Sequence, residues 1–366
     1  MVVNVAIIDI GSGSIGLALV ALESNKVPTF KFLVRQELRL EKDLSPKKLM
    51  YRSIKTLDVM TSELYKNSRV SCAPSKIFCF LSSHLVIPQT RSVSIKFNEP
   101  TAINDKIIEN IVEGELEKFR TDHARLLHKS ETSGVLVEQK IMDIKLNGYP
   151  ISNFKNKIAS EIELSIFFTL APSDKLSSIK NTIAKSFHNN NVEFHSFQFA
   201  YFNVLRDLFQ KDSDFIFMDV GSEITDVSLA GNGIFQKAIS VPLGRSSLIR
   251  RLMEQRGGES ALAESSLKIY RKDDPEIDLA GANWVSAIKT IFDNLTYTKR
   301  TMVRIFILAD SDASTIFRDF ILRLEPRYSV TELVSTDLDK LYNNRSNQPT
   351  DQFLAMSTIF VNKLVN

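Results

Sequence analysis

Two matching strand-turn-strand phrases contain the residues best suited to bind a charged ligand. They run over Val3–Val20 and Asp214–Ala230, and in each an apolar strand ends in Asp-x-Gly before a small polar turn and a second apolar strand. Glycine and hydroxyl residues permit a tight turn in which backbone N–H groups approach an anion. Asp9, at the end of the first strand, can hold Mg²⁺ through water, because Mg²⁺ keeps much of its hydration shell. The pair therefore predicts two halves that close on a nucleotide phosphate tail and its metal.

The two copies differ in how well they suit a phosphate. In the first turn, Ser12 and Ser14 add hydroxyl donors beside glycines. In the second, Ser222 and Glu223 stand where glycine would be preferred, and Glu223 repels a polyphosphate at short range unless it serves a metal or a water. The alternative interpretation is two ordinary hairpins whose glycine and serine residues only make the turns. Two copies at the starts of two candidate domains favour the binding interpretation.

The composition is that of a globular protein with two or more domains, since the chain has 366 residues, 43% hydrophobic and 24% charged. A net charge of +3, from scattered lysines and arginines, is too small to indicate nucleic-acid binding. Cys72 and Cys79 are too few for a metal cluster and indicate a reduced, cytosolic chain. No apolar run approaches the roughly 18 residues that span a membrane. We therefore expect membrane contact only indirectly, through a partner or a surface helix.

Hydrophobic spacing in the first half predicts an α/β layer and then a separate module. The layer comprises three strands of a meander, a crossover helix and a short buried strand, at Val5–Ile10, Leu17–Leu22, Thr29–Leu38, Pro46–Lys66 and Ile77–Leu81. From about Thr90 the order becomes strand, helix, strand, strand, helix, at Arg91–Phe97, Asn104–Phe119, Val135–Leu146, Glu161–Leu170 and Ser173–Phe187. This order predicts a compact inserted module.

The second half begins near Val192 and contains the second hairpin. We predict a further strand at Gly233–Val241 and another at Val303–Leu308. The predicted helices are Phe197–Phe209, Ser246–Gln255, Glu259–Tyr270, Ala282–Thr298, Ala313–Leu324 and Phe353–Val365, with a polar loop at Lys340–Thr350.

A duplicated Asp-x-Gly hairpin in strand-rich halves resembles the actin/Hsp70/sugar-kinase ATPase superfamily. The inserted module, with its turn Asn147-Gly148-Tyr149-Pro150 followed by Ile158–Leu170, resembles that of the FtsA/PilM family of actin-like proteins. Phe197–Leu205 is similar to the family's linking helix, and Ile234–Gly244 to its strand and glycine turn. The resemblance implies an α/β, actin-like two-lobed fold of duplicated RNase H-like domains with an inserted small α+β domain. The implied domains are 1–89, completed by the helix 353–366, then 90–172 and 173–352.

The resemblance also implies which residues would bind ATP and Mg²⁺. The first phosphate loop would be Asp9, Gly11, Ser12, Gly13 and Ser14. The second would be Asp219, Gly221, Ser222 and Thr225, with Gly244 in the turn beyond it, and Asp9 and Asp219 would hold Mg²⁺ through water. Glu264 and Lys268 resemble the family's adenosine-contacting helix, with a solvated helix face as the alternative.

The adenosine loop departs from the family pattern. The family ends a strand with two or three glycines there, whereas this chain has Ala309-Asp310-Ser311-Asp312-Ala313. The side chains at these positions crowd the space in which the family's glycine backbone passes close to the adenine base, and the two acidic groups repel phosphate. We expect ATP to bind weakly or not at all, and the chain to be at most a weak ATPase.

Three functions remain open. The first is a cytoplasmic scaffold of bacterial cell division, FtsA-like, which links cytoskeletal and membrane proteins through the inserted domain and self-associates into dimers or filaments. The second is a PilM-like platform of type IV pilus assembly that binds the tail of an inner-membrane partner; the absence of a terminal basic amphipathic helix before Asn366 favours it. Either would be recruited to the inner face of the membrane by its partner. The third is a small-molecule kinase, which needs an acid and a base in the cleft, but the histidines form no motif: His84, His123, His128, His188 and His195.

Overall fold

The computed structural model describes residues 2–41, 44–66, 74–124, 134–155, 157–258, 260–295, 303–325, 328–333, 338–346 and 348–365. The strands among them are β1 Val2–Ile10, β2 Ser14–Glu23, β3 Thr29–Glu37, β4 Lys76–Leu81, β5 Ile87–Ala102, β6 Gly134–Leu146, β7 Tyr149–Pro150, β8 Ile158–Pro172, β9 Val192–Ser196, β10 Phe215–Val220, β11 Thr225–Gly231, β12 Ile234–Val241, β13 Arg304–Ala309, β14 Ser329–Glu332 and β15 Asn343–Asn344. The α-helices are α1 Pro46–Lys66, α2 Asp105–Asp122, α3 Ser173–Phe187, α4 Phe197–Leu208, α5 Arg245–Arg256, α6 Ser260–Lys268, α7 Pro275–Asn294, α8 Ser314–Leu324 and α9 Gln352–Val365.

Two sheets repeat one topology. The first has the order β15-β3-β2-β1-β4-β9 and the second β12-β11-β10-β13-β14. In each, an antiparallel meander of three strands is followed by two parallel strands, because β1 and β10 pair antiparallel with the next strand and parallel with β4 and β13. The last six residues of β1 and all of β10 are buried, as expected for central strands covered on both faces. The duplication therefore extends from the hairpins to both whole sheets.

The inserted module has a sheet and a core of its own. Its strand order is β5-β8-β6-β7, and α2 packs on one face through Ile108, Val112 and Phe119. The turn before β7 has positive φ at Asn147 (51°) and Gly148 (80°), which matches the type I′ hairpin chemistry of Asn-Gly.

The segment between the module and the second hairpin joins the first sheet. Helix α3 packs beside α1, where the Thr61 hydroxyl donates to Ser186 Oγ at 3.0 Å. Strand β9, which the sequence pattern did not predict, pairs parallel with β4 from Ile77 to Leu81. We therefore propose to move the start of the second lobe from residue 173 to the end of β9.

Helices α4 and α9 lie between the two sheets. One hydrophobic cluster contains Phe78 of the first sheet, Phe217 of the second, Phe202 of α4 and Phe360 of α9. Helix α9 also packs on β1 and β2. Around α4 and α9, the two sheets therefore share one hydrophobic core and are not separated by a solvent-filled gap.

The observed elements confirm most of the predicted order, with three differences in the second half besides β9. Helix α7 begins at Pro275 rather than Ala282, because the Asp274 carboxylate accepts the Glu276 N–H at 3.0 Å and caps it. The predicted end of that helix, Thr298, lies outside the described residues. Strand β14 was not predicted, and the loop 340–350 contains the short strand β15. None of the described helices combines the length and the apolar character that crossing a bilayer requires.

Candidate functional site

The two Asp-x-Gly turns touch each other. The Gly11 N–H donates to Ser14 O at 3.0 Å, and the Gly221 N–H donates to Ile224 O at 2.9 Å, so both turns close in the same way. Between them, the Glu223 N–H donates to Ser12 Oγ at 3.1 Å. A Cβ placed on Gly13 would lie 2.0 Å from the Ser222 Cβ. The space between the turns, where the sequence predicts a phosphate tail, is filled by the turns themselves.

Arg35 of β3 lies in front of Asp9. Its Nη2 is 2.7 Å from Asp9 Oδ2, and its Nη1 donates to Ser14 Oγ at 2.8 Å. The same guanidinium pairs with Asp351, at the start of α9, through Nε and through Nη2 at 3.1 Å from Oδ1. Although burial disfavours the charged form of Arg35, Asp351 and Asp9 raise its pKa above the usual value. The metal ligand that the sequence predicts is therefore already paired with a buried cation.

Three further carboxyl groups lie close to Asp9. Burial raises the pKa of Asp219 well above its usual value, and the nearby Asp226, Asp9 and Asp310 raise it further. Burial also raises the pKa of Asp226, whose Oδ1 accepts the Ser240 hydroxyl at 2.5 Å. The pKa of Asp310 is raised to about 6, again mainly by burial. Burial therefore disfavours the ionised form of all three carboxyl groups beside Arg35.

The chamber enclosed by these residues does not fit a nucleotide. Its volume is about 30 Å³, and its walls include Asp9, Arg35, Asp219 and Asp310. That volume holds about two water molecules. Among the described residues, no three carboxylate, imidazole or thiol groups converge in positions that could hold a metal ion. A triphosphate with hydrated Mg²⁺ does not fit this arrangement, and we derive no chemical step through it.

A larger pocket lies on the other side of the contact between the turns. It measures about 330 Å³, and Gly13 and Ser222 form a wall common to both spaces. Glu264 lines this outer pocket, whereas Lys268, at the end of α6, is exposed and lines neither space. Of the two residues predicted to contact adenosine, only Glu264 faces the cleft.

The first backbone N–H groups of α5 donate hydrogen bonds to the second turn and are not free to bind a ligand. The Arg245 N–H donates to Gly221 O at 3.1 Å, and the Ser246 N–H donates to Ser222 O at 2.7 Å. These are the donors that a helix N-terminus would otherwise present to an anion. Gly244 permits the approach, because a Cβ there would lie 2.1 Å from Gly221 O.

Thr225 makes hydrogen bonds within the protein and does not contact the predicted ligand space. Its hydroxyl donates to Leu243 O at 2.7 Å and accepts the Trp284 Nε1–H at 2.8 Å. The side chain is fully buried and anchors the second hairpin to α7. It does not face the space between the turns.

Two of the three acidic residues that we expected to repel phosphate pair with arginines. Asp312 accepts two bonds from Arg245, at 2.9 and 2.6 Å, and Glu223 accepts one from Arg250 at 2.6 Å. Sequence reasoning missed Arg35 and the arginines of α5. For Arg35 one signal existed, a charged residue in a strand of the meander next to a predicted metal ligand. Cys72 and His128 lie outside the described residues.

Comparison with known proteins finds similar structures but no similar sequence. No family model and no curated protein matches the sequence. The structure is similar to one titled "PilM-PilN type IV pilus biogenesis complex", with a TM-score of 0.65, 13% identity and 98% of each chain covered. It also matches the ethanolamine utilization protein EutJ from Carboxydothermus hydrogenoformans, with a TM-score of 0.47, 10% identity and coverage of 97% of this chain and 88% of that one. With the duplicated sheets, the PilM match over the whole chain confirms the predicted fold class: this chain has the actin-like ATPase fold.

Proposed function

We propose that this chain is an actin-like scaffold that binds a membrane-anchored protein through its inserted module and does so without nucleotide. The observation that carries the proposal is the match to the PilM-PilN structure over 98% of both chains, because it includes the inserted module. The closed turns and the Asp9–Arg35 ion pair support the absence of nucleotide.

The partner would add an extended segment to the open edge of β6. Along one side β6 pairs with β8 from Gly134 to Leu146. Along the other side, within the described residues, it pairs with β7 only at Lys145 and Leu146. An open strand edge presents backbone N–H and C=O groups that a peptide strand satisfies. Glu138 of β6 accepts the Ser196 N–H of β9 at 2.9 Å, so the part of the edge beyond Glu138 is the one that the module offers to a partner.

Hydrogen exchange of the full chain tests this edge. The probe is a peptide with the sequence of the cytoplasmic tail of the pilus-assembly membrane protein from the same organism. We expect slower exchange in residues 134–146 when the peptide is bound, because new backbone hydrogen bonds form there. Tight binding with protection confined to another element would overturn the edge assignment, and no binding would count against the pilus role.

Nucleotide independence has its own test. Calorimetric titration with Mg²⁺-ATP should give no saturable heat for the parent chain, and Asp9→Ala should give the same trace. If the parent chain binds Mg²⁺-ATP and Asp9→Ala abolishes this binding, the turns open and the cleft binds nucleotide.

An FtsA-like division scaffold would use the same fold and the same module. It differs in self-association, since a filament-forming protein pellets in a concentration-dependent way. Sedimentation over a range of protein concentrations separates the two roles: pelleting supports the division scaffold, and a peptide-binding monomer or dimer supports the pilus platform.

A further inference from the structure

A third pocket lies between the first lobe and the second hairpin, away from the Asp9 chamber. Its volume is about 300 Å³, at the lower end of the range for small-molecule sites. The polar residues that line it are Ser45 before α1, His84 after β4, Lys175 of α3, Glu223 of the second turn and Arg250 of α5. None of these residues takes part in the Asp9–Arg35 network.

Lys175 brings a positive charge to this pocket. Its side chain is half-buried, and Nζ donates to the backbone O of His84 at 3.3 Å. No carboxylate of the described residues lies within 4.0 Å of this ammonium group. Burial lowers the pKa of Lys175, and the neighbouring Asp174 offsets part of this effect.

His84 brings hydrogen-bonding groups that the described fold does not satisfy. Both ring nitrogens are buried and have no hydrogen-bond partner among the described residues. Buried polar atoms in folded proteins are nearly always paired with protein, water or a ligand. Burial, and then Lys175, lower the pKa of His84 to about 3, so the ring is neutral at neutral pH and offers one N–H donor.

The first turn of α1 adds a positive potential. A helix N-terminus carries a partial positive charge and usually attracts acidic residues. The first turn of α1 contains none, and has Lys47 and Lys48 instead. Ser45 Oγ accepts the Lys48 N–H at 3.3 Å, so the helix contributes its dipole more than free donors.

The acidic group in the pocket is already neutralised. Glu223 Oε1 accepts Arg250 Nη2 at 2.6 Å, and Arg250 Nε also donates to Glu41 O at 2.7 Å. Among the described residues, Lys175 is then the charged residue of the lining for which no ion pair within 4.0 Å is formed. An incoming anion therefore meets a cation, an unpaired imidazole and a helix N-terminus.

From this arrangement we infer a binding site for a small oxyanion, a phosphate or carboxylate group held between Lys175, His84 and the start of α1. The ammonium group supplies the charge, and the His84 ring, whose nitrogens are both buried in this structure, turns so that its N–H donates to one oxygen. The site is distinct from the partner edge on β6 and adjoins the cleft, with which it shares Ile224 and Arg250 in its lining.

The test is a calorimetric titration of the full chain with inorganic phosphate and, separately, with malonate, at an ionic strength held constant with NaCl. Lys175→Met removes the cation, and Lys180→Met, an exposed lysine of the same helix, is the matched control. We expect saturable binding that Lys175→Met weakens about tenfold or more, the effect of losing one charge-assisted hydrogen bond, and that Lys180→Met leaves unchanged.

A second readout needs no variant. In NMR spectra of the parent chain, saturating anion should raise the pKa of His84, because a bound anion stabilises the protonated ring. Saturation by phosphate alone assigns a phosphate ligand, and saturation by malonate alone assigns a carboxylate. The inference is wrong if neither anion saturates, if Lys175→Met binds like the parent, or if the pKa of His84 does not move.

Discussion

Arg35 is held between Asp9 and Asp351, so three charged groups far apart in the sequence form one buried cluster. The guanidinium occupies the space in front of Asp9 in which a hydrated metal would have to sit. An ion pair of this kind is costly to break at one partner, because the remaining charge stays buried.

Arg35→Met tests the importance of this cluster for stability. We expect the free energy of unfolding to fall by about 3–5 kcal/mol, since Asp9 and Asp351 lose their buried partner. Arg39→Met is the matched control, because Arg39 lies in the same segment but is exposed, and its effect should stay within about 0.5 kcal/mol. Urea denaturation followed by circular dichroism measures both, and equal effects would contradict the role assigned to Arg35.

Asp310 predicts a pH dependence of stability. Its pKa in the folded chain is about 6, above the usual value of 3.8, so the folded state binds this proton more readily than the unfolded state. The stability contributed by Asp310 is therefore present below about pH 4 and is lost as the pH rises through 6. Asp310→Asn should stabilise the chain at pH 7, by up to about 3 kcal/mol, and this gain should vanish near pH 4.

Asp312→Asn, in the same loop, is the contrasting control for Asp310→Asn. It removes the partner of the buried Arg245 and should lower stability at pH 7. Urea denaturation of the parent and both variants at pH 4, 5, 6 and 7 gives the comparison. A stabilisation by Asp310→Asn that is the same at every pH would rule out the titration argument.

At the scale of elements, the docking of α5 on the second turn decides whether that turn is open to a ligand. The backbone of Gly244 is extended, so its requirement for glycine is steric and not conformational. Gly221 O and Ser222 O accept the first N–H groups of α5 only because the two backbones approach this closely.

Gly244→Ala should destabilise the chain by about 1–3 kcal/mol, because the added methyl group forces the helix away from the turn. Gly114→Ala is the control: Gly114 lies within α2, a Cβ there meets nothing within 4 Å, and helix propensity predicts a gain of up to about 1 kcal/mol. Unfolding followed by fluorescence of the single tryptophan, Trp284, measures the first effect next to the affected hairpin, whose Thr225 it contacts.

At the scale of the whole molecule, the inserted module has a core of its own on its α2 face, and on its other face Phe167 of β8 packs into the core that the two sheets share. The shared cluster runs through α4 and α9, and the module's cluster joins α2 to its own sheet. The α2 face of the module is therefore the part that can change without disturbing the lobes.

Phe119→Ala tests the separation. Phe119 is fully buried in the module, so its truncation should cost about 3–5 kcal/mol. We expect hydrogen exchange to increase in residues 87–172 and to stay unchanged in both lobes. Phe317→Ala, in the core of the second sheet, should produce the reverse pattern. Faster exchange throughout the chain in both variants would mean that the module and the lobes unfold as one unit.

The sequence by itself determined the duplicated hairpins, most of the order of strands and helices and the place of the inserted module; the fold class came from the family resemblance that these features carry. These follow from local burial, which leaves a period of two or 3.6 in the residues of each element. Only the tertiary structure decided that β9 extends the first sheet, that Arg35 meets Asp351 across 316 positions and that Ser12 meets Glu223 across 211. Such contacts depend on how distant elements pack, which no local period records. The turns that predicted an open nucleotide clamp are for that reason found closed on each other.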